Sequence, residues 1–207
     1  MKISNRLKNI CSLITNTNVV DVGCDHALLD IYLTFNGKKC IASDISENVL
    51  KQAKSNIKKY NLEDKIEIIQ SDGTKNINIP ECSTVVIAGM GAHTIINILN
   101  NTNHINIDEL IIQSNNDLYF LRKEIVKLGY LIDKEISILD KDKYYVIIRF
   151  KKGIKKYSKK EYLLGFLDKK YYKYLLEKNN KIINNLPFSL KKLKLLHINK
   201  WIKQKLH

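Results

Sequence analysis

The sequence predicts an α/β fold: a mostly parallel seven-stranded sheet with helices on both faces, an antiparallel strand pair at one edge, and a C-terminal helical hairpin. Through residue 150, short runs rich in β-branched residues alternate with helix-period segments. This alternation is typical of a parallel sheet. The last two of these runs follow one another directly, and the remainder of the chain contains helix-period segments alone.

The elements of the first part follow in regular order. Strands are predicted over 18–22, 39–43, 65–70, 83–88, 109–113, 130–138 and 144–150, and helices over 27–35, 47–60, 93–100 and 117–128. Ser46 can cap the second of these helices, and Gly129 stands where a helix often ends. Ligands of such sheets bind beyond the carboxyl ends of the strands, so we expect the chemistry in the loops there.

The pattern changes after Lys151. A helix is predicted over 158–184 from the spacing of Leu163, Leu167, Tyr171, Tyr174, Leu175, Ile182 and Leu186. Pro187 breaks this helix, and Ser189 can cap a second one. The second helix continues with Leu190, Leu193, Leu196, Trp201 and Ile202. Two helices with a short break favour an antiparallel hairpin or coiled coil, so we divide the chain into 1–152 and 153–207.

The net charge of +14 is concentrated in one part of the chain. Residues 1–150 contain 18 basic and 18 acidic residues, whereas residues 151–207 contain 17 lysines and 3 acidic residues. Compositional drift toward lysine, asparagine and isoleucine would give both parts a similar excess of lysine. The asymmetry therefore favours a nucleic-acid partner, although a solvated face is the better interpretation of any single lysine.

Several classes of protein and site are disfavoured. There is no run of about 18 apolar residues and no signal-peptide pattern, so we expect a cytoplasmic protein without a membrane segment. The cysteines lie far apart and form no C-x-x-C pair, which favours reduced thiols over a zinc site: Cys11, Cys24, Cys40 and Cys82. We expect no metal and a monomeric protein.

A glycine turn with flanking acids follows the first predicted strand, in residues 21–27 (DVGCDHA). Gly23 permits close backbone approach, but the second and third glycines of G-x-G-x-x-G are missing, which argues against a dinucleotide. The carboxylate of Asp25 suits a cationic ligand better than a phosphate, with helix capping as the alternative role. His26 is interpreted as a local hydrogen-bonding residue rather than a general base.

Acidic residues also follow the next two predicted strands. Asp44 comes about 20 residues after the glycine turn, where a carboxylate can accept both ribose hydroxyl protons. Asp72 stands before Gly73, where its carboxylate can accept from an exocyclic amine such as that of adenine. Each could be a turn or cap residue alone. Acids at the ends of three successive strands favour a nucleoside ligand.

The order Asp21-x-Gly23-x-Asp25, then Asp44, then Asp72-Gly73 resembles a class I methyltransferase. More narrowly, DVGCDHALLDIYL, AGMGAHTIINIL, LIIQSNNDLYFLRKEIVKLGY and DKYYVIIRF resemble the bacterial TrmK-like tRNA (adenine-N1)-methyltransferases that act at adenosine 22. The N-terminal SNRL and the basic tail are also similar. The resemblance spans nearly the whole chain. It implies a Rossmann-like fold, S-adenosylmethionine as cofactor and tRNA as partner.

The resemblance also implies roles for individual residues. Those expected to bind the cofactor are Asp21, Gly23, Asp25, His26, Asp44, Ile45, Asp72, Gly73, Ala88 and Gly89. Those expected at the reacting base are Asn115, Met90 and Gly91, and those expected to contact RNA are Arg6, His93, Lys155, Lys156, Lys159 and Lys160. Asn115 is equally suited to cap the following helix, and Arg6 to pair with a surface acid. Ser114 departs from the family, which usually has proline there.

Methyl transfer from a sulfonium needs little acid–base help, because adenine N1 has a lone pair at neutral pH; the need is for in-line placement. Small residues in 88–91 would let a flat base approach, and their carbonyls could accept from its amino group; a tight turn is the other interpretation. The loop is not D-P-P-Y, which favours a ring nitrogen as target. The alternatives are a methyltransferase for another RNA or a protein, and a non-catalytic RNA-binding module.

Overall fold

The computed structural model describes residues 1, 3–140 and 143–206. They form two compact units, Met1–Lys156 and Tyr157–His207. The strands are β1 (Asn18–Val22), β2 (Lys39–Asp44), β3 (Ile66–Gln70), β4 (Ser83–Met90), β5 (Ile107–Ser114), β6 (Tyr130–Asp140) and β7 (Lys143–Lys152). The helices are α1 (Asn5–Leu13), α2 (Leu28–Phe35), α3 (Glu47–Lys59), α4 (Ala92–Asn100), α5 (Leu118–Lys127), α6 (Lys159–Leu164), α7 (Lys169–Asn185) and α8 (Leu190–Leu206).

The first unit contains the predicted seven-stranded sheet, in the order β3-β2-β1-β4-β5-β7-β6. The pairs from β3 through β5 are parallel, and β7 is antiparallel to both β5 and β6. The chain runs outward from β1 to β2 and β3, then returns to place β4 on the other side of β1. This reversal opens a crevice at the carboxyl ends of β1 and β4, where ligands of open α/β sheets bind.

The central strands owe their apolar sequences to burial on both faces, as is usual for parallel sheets. Val19, Val20 and Val22 of β1 are buried, and β5 contributes Leu110 to Ile112 at 0% exposure. Ser46 caps α3 as predicted, accepting from the backbone N–H of Val49. These local preferences agree with the tertiary packing, which is why the predicted order of elements is confirmed.

Helix α1 was missing from the sequence prediction. Ser4 caps it by accepting from the backbone N–H of Leu7, and the helix buries its own Ile10 and Leu13. A capping serine followed by apolar residues three apart is the signal that would have identified this helix. Strand β4 is also longer than predicted, because it continues through Met90 past an irregularity between Ala88 and Met90.

In the second unit, the prediction of one continuous helix over 158–184 was wrong. Helix α6 ends at Gly165, whose φ of +67° favours glycine, and Asp168 caps α7 by accepting from Tyr171 N–H. The Tyr172 hydroxyl bridges the break: it donates to the Gly165 carbonyl at 2.9 Å and accepts from Leu167 N–H at 3.1 Å.

Helices α7 and α8 form the predicted hairpin, with a buried polar contact in its interface. Asn179 donates to Asn199 at 2.9 Å, and both side chains are buried near Ile183 and Ile202. The leucines expected on the apolar face of α8 are exposed instead: Leu190, Leu193 and Leu196. They are exposed because they lie on a different side of α8 from Asn199 and Ile202, which are the buried residues of this helix.

Glu109 of β5 is 1% exposed and fixes the chain that leaves α1. Its carboxylate accepts from the backbone N–H of Thr15 at 2.9 Å, the Thr15 hydroxyl at 2.7 Å and the Thr84 hydroxyl at 2.7 Å. Arg149 of β7 lies 4.0 Å away. The buried charge is thus surrounded by donors, as buried charges must be.

Among the described helices, none is long and apolar enough to cross a membrane.

We expect Glu109→Ala to lower the free energy of unfolding by about 3 kcal/mol, because it leaves buried donors unpaired. Urea unfolding followed by circular dichroism measures this loss. The exposed Glu63→Ala should change stability by less than about 0.5 kcal/mol. Equal effects of the two substitutions would contradict the role assigned to Glu109.

Candidate active site

A cavity of about 680 Å³ opens at the carboxyl ends of β1, β2 and β4. Its volume is in the range of sites for small molecules and cofactors. The wall is formed by α1, the β1–α2 turn, the end of β2, the β4–α4 turn and the β6–β7 hairpin. The lining residues are Ser4, Arg6, Leu7, Asp21, Gly23, Cys24, Asp25, His26, Leu28, Leu29, Asp44, Ala88, Gly89, Met90, Asn115, Asp140, Lys143 and Tyr145.

Ten of the residues singled out in the sequence line this cavity together: Arg6, Asp21, Gly23, Asp25, His26, Asp44, Ala88, Gly89, Met90 and Asn115. Outside its lining are Ile45, Asp72, Gly73, Gly91 and His93. The lysines singled out lie after β7 and at the start of α6. The functional roles of all these residues stay predictions.

The glycine turn after β1 is held by β2. The backbone N–H groups of Gly23 and Cys24 both donate to the Ser43 carbonyl, at 2.8 and 2.9 Å. Gly23 has a φ of +83°, and a Cβ atom added there would overlap the terminal methyl group of Met90. The positive φ favours glycine at this position, and the methyl group at the flexible end of the Met90 side chain lies against it.

Asp21 is the buried acid of the cavity, at 5% exposure. Burial raises the pKa of its carboxyl to about 7, and the nearby Asp44 and Asp25 act in the same direction. A hydrogen bond with Asp30 and the positive charge of Arg6 oppose this rise in pKa. A cationic ligand in the cavity would compensate the charge of the ionised carboxylate.

Asp44 ends β2 with one carboxylate oxygen occupied, since Oδ1 accepts from the backbone N–H of Ser46 at 2.9 Å. The half-buried side chain of Asp44 lines the cavity and can accept hydrogen bonds from ligand hydroxyls.

Asp25 lies in the left-handed region at φ +51°, and its exposed carboxylate is 3.6 Å from the His26 ring. His26 therefore lies beside an acid, and its interpretation as a local hydrogen-bonding residue stays a prediction.

The remaining cofactor candidates follow β2 and β3. Asp72 pairs with Lys75 on the surface, and Gly73 packs against Ile98. The side chain of Ile45 is 65% exposed, while its carbonyl accepts from the Gln70 amide at 3.1 Å.

Asn115 holds the β4–α4 turn. Its side-chain amide donates to the Gly89 carbonyl at 2.6 Å, and its backbone N–H donates to the Met90 carbonyl at 2.9 Å. The α5 cap, which was the alternative role for Asn115, is provided by Asp117, whose carboxylate accepts from Phe120 N–H at 3.0 Å. Two carbonyls expected to accept from a bound base are thus already hydrogen-bonded to Asn115.

Gly91 and His93 lie at the start of α4, after this turn. Gly91 is the cap residue of α4, and the backbone N–H of Ala92 donates to the Asn116 side chain at 2.9 Å. The His93 ring lies 4.3 Å from the Phe120 ring, between centroids.

Arg6 belongs to the cavity wall rather than to a surface ion pair. Its guanidinium donates to the Gln113 side chain at 2.8 Å, and Gln113 donates to Asn115 at 3.2 Å. The guanidinium carbon of Arg6 also lies 5.6 Å from the centre of the Tyr145 ring. The Nζ atom of Lys143 lies 5.0 Å from the same ring centre. A chain of polar contacts therefore links α1 to the turn after β4.

Sequence reasoning missed the contribution of the β6–β7 hairpin. Asp140, Lys143 and Tyr145 line the cavity, although the predicted hairpin was treated as an edge element. The segment DKYYVIIRF carried part of the family resemblance, and it was the signal in the sequence that could have placed these residues at the site.

No group of side chains suited to a metal ion occurs among the described residues.

The predicted RNA-binding lysines are mostly solvent-exposed. Lys155, Lys156 and Lys159 are exposed, whereas Lys160 is half-buried and donates to the Gln204 side chain at 2.7 Å. Exposure is required for contact with a polyanion but does not distinguish a binding surface from a solvated one.

Both the sequence and the fold of the chain are similar to those of known proteins. A family described as "Methyltransferase domain" matches residues 3–148. The tRNA (adenine(22)-N(1))-methyltransferase of Bacillus subtilis is 31% identical over 153 residues, which are 72% of this chain and 64% of that enzyme. The matched region thus spans less than two thirds of the B. subtilis enzyme.

Solved structures match this chain along its whole length, among them the following two. M. capricolum TrmK in complex with S-adenosyl-homocysteine has a TM-score of 0.84 and 33% identity, covering 100% of this chain and 98% of that one. A protein of the NADB-Rossmann superfamily from Streptococcus agalactiae has a TM-score of 0.88 and 26% identity, with the same coverage. The chain therefore belongs to the methyltransferase-domain family, and within it to the group that includes M. capricolum TrmK.

Proposed function

We propose that this chain transfers a methyl group from S-adenosylmethionine to N1 of adenosine 22 of tRNA. The observation that carries the proposal is the cavity at the carboxyl ends of β1, β2 and β4, in which Asp21, Asp25 and Asp44 meet beside Gly23. The activity named for the B. subtilis relative and the ligand held by M. capricolum TrmK support the choice of substrate and cofactor.

The residues of the cavity fit S-adenosylmethionine, which supplies an electrophilic methyl group on a sulfonium centre when bound. Asp44 accepts hydrogen bonds from its ribose hydroxyls through the carboxylate oxygen that Ser46 leaves available. Asp21 and Asp25 compensate its positive charge. Gly23 allows the ligand close to the backbone. The missing pyrophosphate glycines agree with a ligand that has no phosphates.

The turn after β4 positions the target base. Ala88 and Gly89 keep this part of the wall flat, and Asn115 fixes the turn through two hydrogen bonds. Asn115, Met90 and Gly91 are thus assigned to the placement of adenine rather than to proton transfer. Adenine N1 attacks through its own lone pair, so alignment is the main requirement.

The second unit, together with residues 153–156 that precede it in the chain, holds the RNA backbone by charge. Most of its lysines are exposed, outside a small apolar core, and charge contacts with the RNA backbone read the shape of a folded RNA more than its sequence. The target adenosine must then be unstacked to enter the cavity. The protein is proposed to do this as a cytoplasmic monomer, with its cysteines reduced.

Incubation of total tRNA with the protein and isotope-labelled S-adenosylmethionine tests the function. We expect label in 1-methyladenosine, mapped to position 22 by nuclease digestion and mass spectrometry. Label in another base, at another position or in protein would contradict the proposal. A tRNA transcript with guanosine at position 22 is the matched control and should remain unlabelled.

Asp44→Ala should weaken binding of S-adenosylhomocysteine by about 30-fold or more, because charge-assisted hydrogen bonds to the ribose are lost. Calorimetry measures the dissociation constant. Asp64→Ala, at an exposed acid outside the cavity lining, is the control and should bind as the unmodified protein does. Unchanged affinity of the Asp44 variant would refute the ribose assignment.

The double substitution Lys156→Gln and Lys159→Gln should weaken tRNA binding and reduce the slope of log K against log salt by about 1 to 2. Affinity for S-adenosylhomocysteine should stay the same. Filter binding over a salt series gives the slope. The pair Lys39→Gln and Lys65→Gln, exposed at the amino ends of β2 and β3, is the matched control. If both pairs reduce the slope equally, RNA binding is not concentrated where we place it.

A further inference from the structure

Asp30, in the first turn of α2, is a buried acid for which the mechanism above has no use. Its exposure is 0%. Within the described part of the chain, neither carboxyl oxygen receives a hydrogen bond from a donor other than its own backbone amide. A carboxylate in such surroundings would be an uncompensated buried charge, so Asp30 must be protonated or share a proton.

The partner of Asp30 is Asp21. The two carboxyls lie within hydrogen-bonding reach of each other once one of them carries a proton, and both are removed from water. Asp21 faces the cavity, whereas Asp30 lies behind it, outside the lining. Two carboxylates in contact cannot both remain ionised, so one proton is kept between them.

Burial raises the pKa of Asp30 well above that of an ordinary aspartic acid, and the contact between the two carboxyls raises the pKa of Asp30 while it lowers that of Asp21. Nearby Cys24 and Cys40 also have raised pKa values through burial, so both thiols stay neutral. The other ionisable groups that face the pair are Asp44 from β2, Asp25 from the β1–α2 turn and Arg6 from α1. Asp30 is therefore the member of the pair that retains the proton at neutral pH.

We propose that Asp30 is a positioning residue for the cofactor: it holds a proton and donates it to Asp21, so that Asp21 faces the cavity as the carboxylate. This inference rests on the proposed function, because it assumes a ligand with an ammonium group. Covalent bonds of the ligand are unaffected; the proton stays on Asp30 when the cofactor binds. Without the donor, the buried Asp21 carboxylate would be less stable and would take up the proton itself.

The arrangement has a defined pH dependence. Asp21 becomes neutral as the pH falls through about 7 and then offers no charge to an ammonium group. Affinity for the cofactor is therefore full above this pH and decreases below it. Removal of the Asp30 donor raises the pKa of Asp21 further, which moves the loss of affinity to higher pH.

The experiment is calorimetric titration of the full-length protein with S-adenosylhomocysteine between about pH 6 and pH 8.5, where the ligand ammonium stays largely protonated because its own carboxylate lies next to it. Asp30→Asn keeps a donor and should bind within about threefold of the unmodified protein across the range. Asp30→Leu has the same branched skeleton without a donor. We expect about tenfold weaker binding at pH 7 that recovers toward pH 8.5. Asp64→Asn is the control acid and should match the unmodified protein.

The outcomes separate this inference from the proposed function. Failure of the unmodified protein to bind at any pH contradicts the function itself. If the unmodified protein binds the ligand and both Asp30 variants give the same pH curve, only the role of Asp30 is overturned. If Asp30→Leu does not fold, as judged by circular dichroism, the Asp30→Asn variant decides whether Asp30 has this role. A folded Asp30→Asn protein that has lost cofactor binding overturns the proposal, and one that binds normally supports it.

Discussion

The parallel pairing of β1 with β2 on one side and β4 on the other is the constraint on which the candidate site depends. It brings three strand ends to one edge, so that Asp21, Asp44 and the turn after β4 share a wall. Backbone contacts make the edge tight: the Ser43 carbonyl accepts from two amides of the β1 turn, and Gly23 lies against Met90. A shift of one strand would separate these groups.

Charge is divided sharply between the two units. The first has equal numbers of acids and bases through residue 150, and it gathers acids around one cavity. The second has an excess of lysine and a small core built around Tyr172 and Ile202. The division suits a protein that must hold a cationic nucleoside derivative and a polyanionic RNA, since one electrostatic surface could not favour both.

Helix α1 connects the stability of the fold to the shape of the site. Glu109 anchors Thr15, just beyond the end of α1, through buried hydrogen bonds. Arg6, near the start of the same helix, reaches Gln113 and through it Asn115. Displacement of α1 would thus disturb the turn that we assign to the target base. The fully buried members of this chain of contacts, Glu109 and Gln113, are both hydrogen-bonded, as buried polar groups generally are.

The order of strands and helices in the first unit could be predicted because burial imposes a local apolar pattern, and turn residues such as Gly23 mark where it ends. The acids at the ends of β1 and β2 could be predicted to lie at one site for the same reason, and they line the cavity together. Helix α1 and the break at Gly165 were missed, although Ser4 and Asp168 carried capping signals, because the apolar periods there are short or nearly continuous.

The sequence by itself determined the fold class, the uneven charge and the candidate acids, since these follow from composition and local period. Tertiary structure alone decided that Tyr145 and Lys143 join the cavity, that Asn115 holds the turn while Asp117 caps α5, and that Asp72 pairs with Lys75 outside the lining. It also brought Asp30 against Asp21. Contacts between residues distant in sequence depend on how the strands pair and how the helices pack, and no local pattern records them.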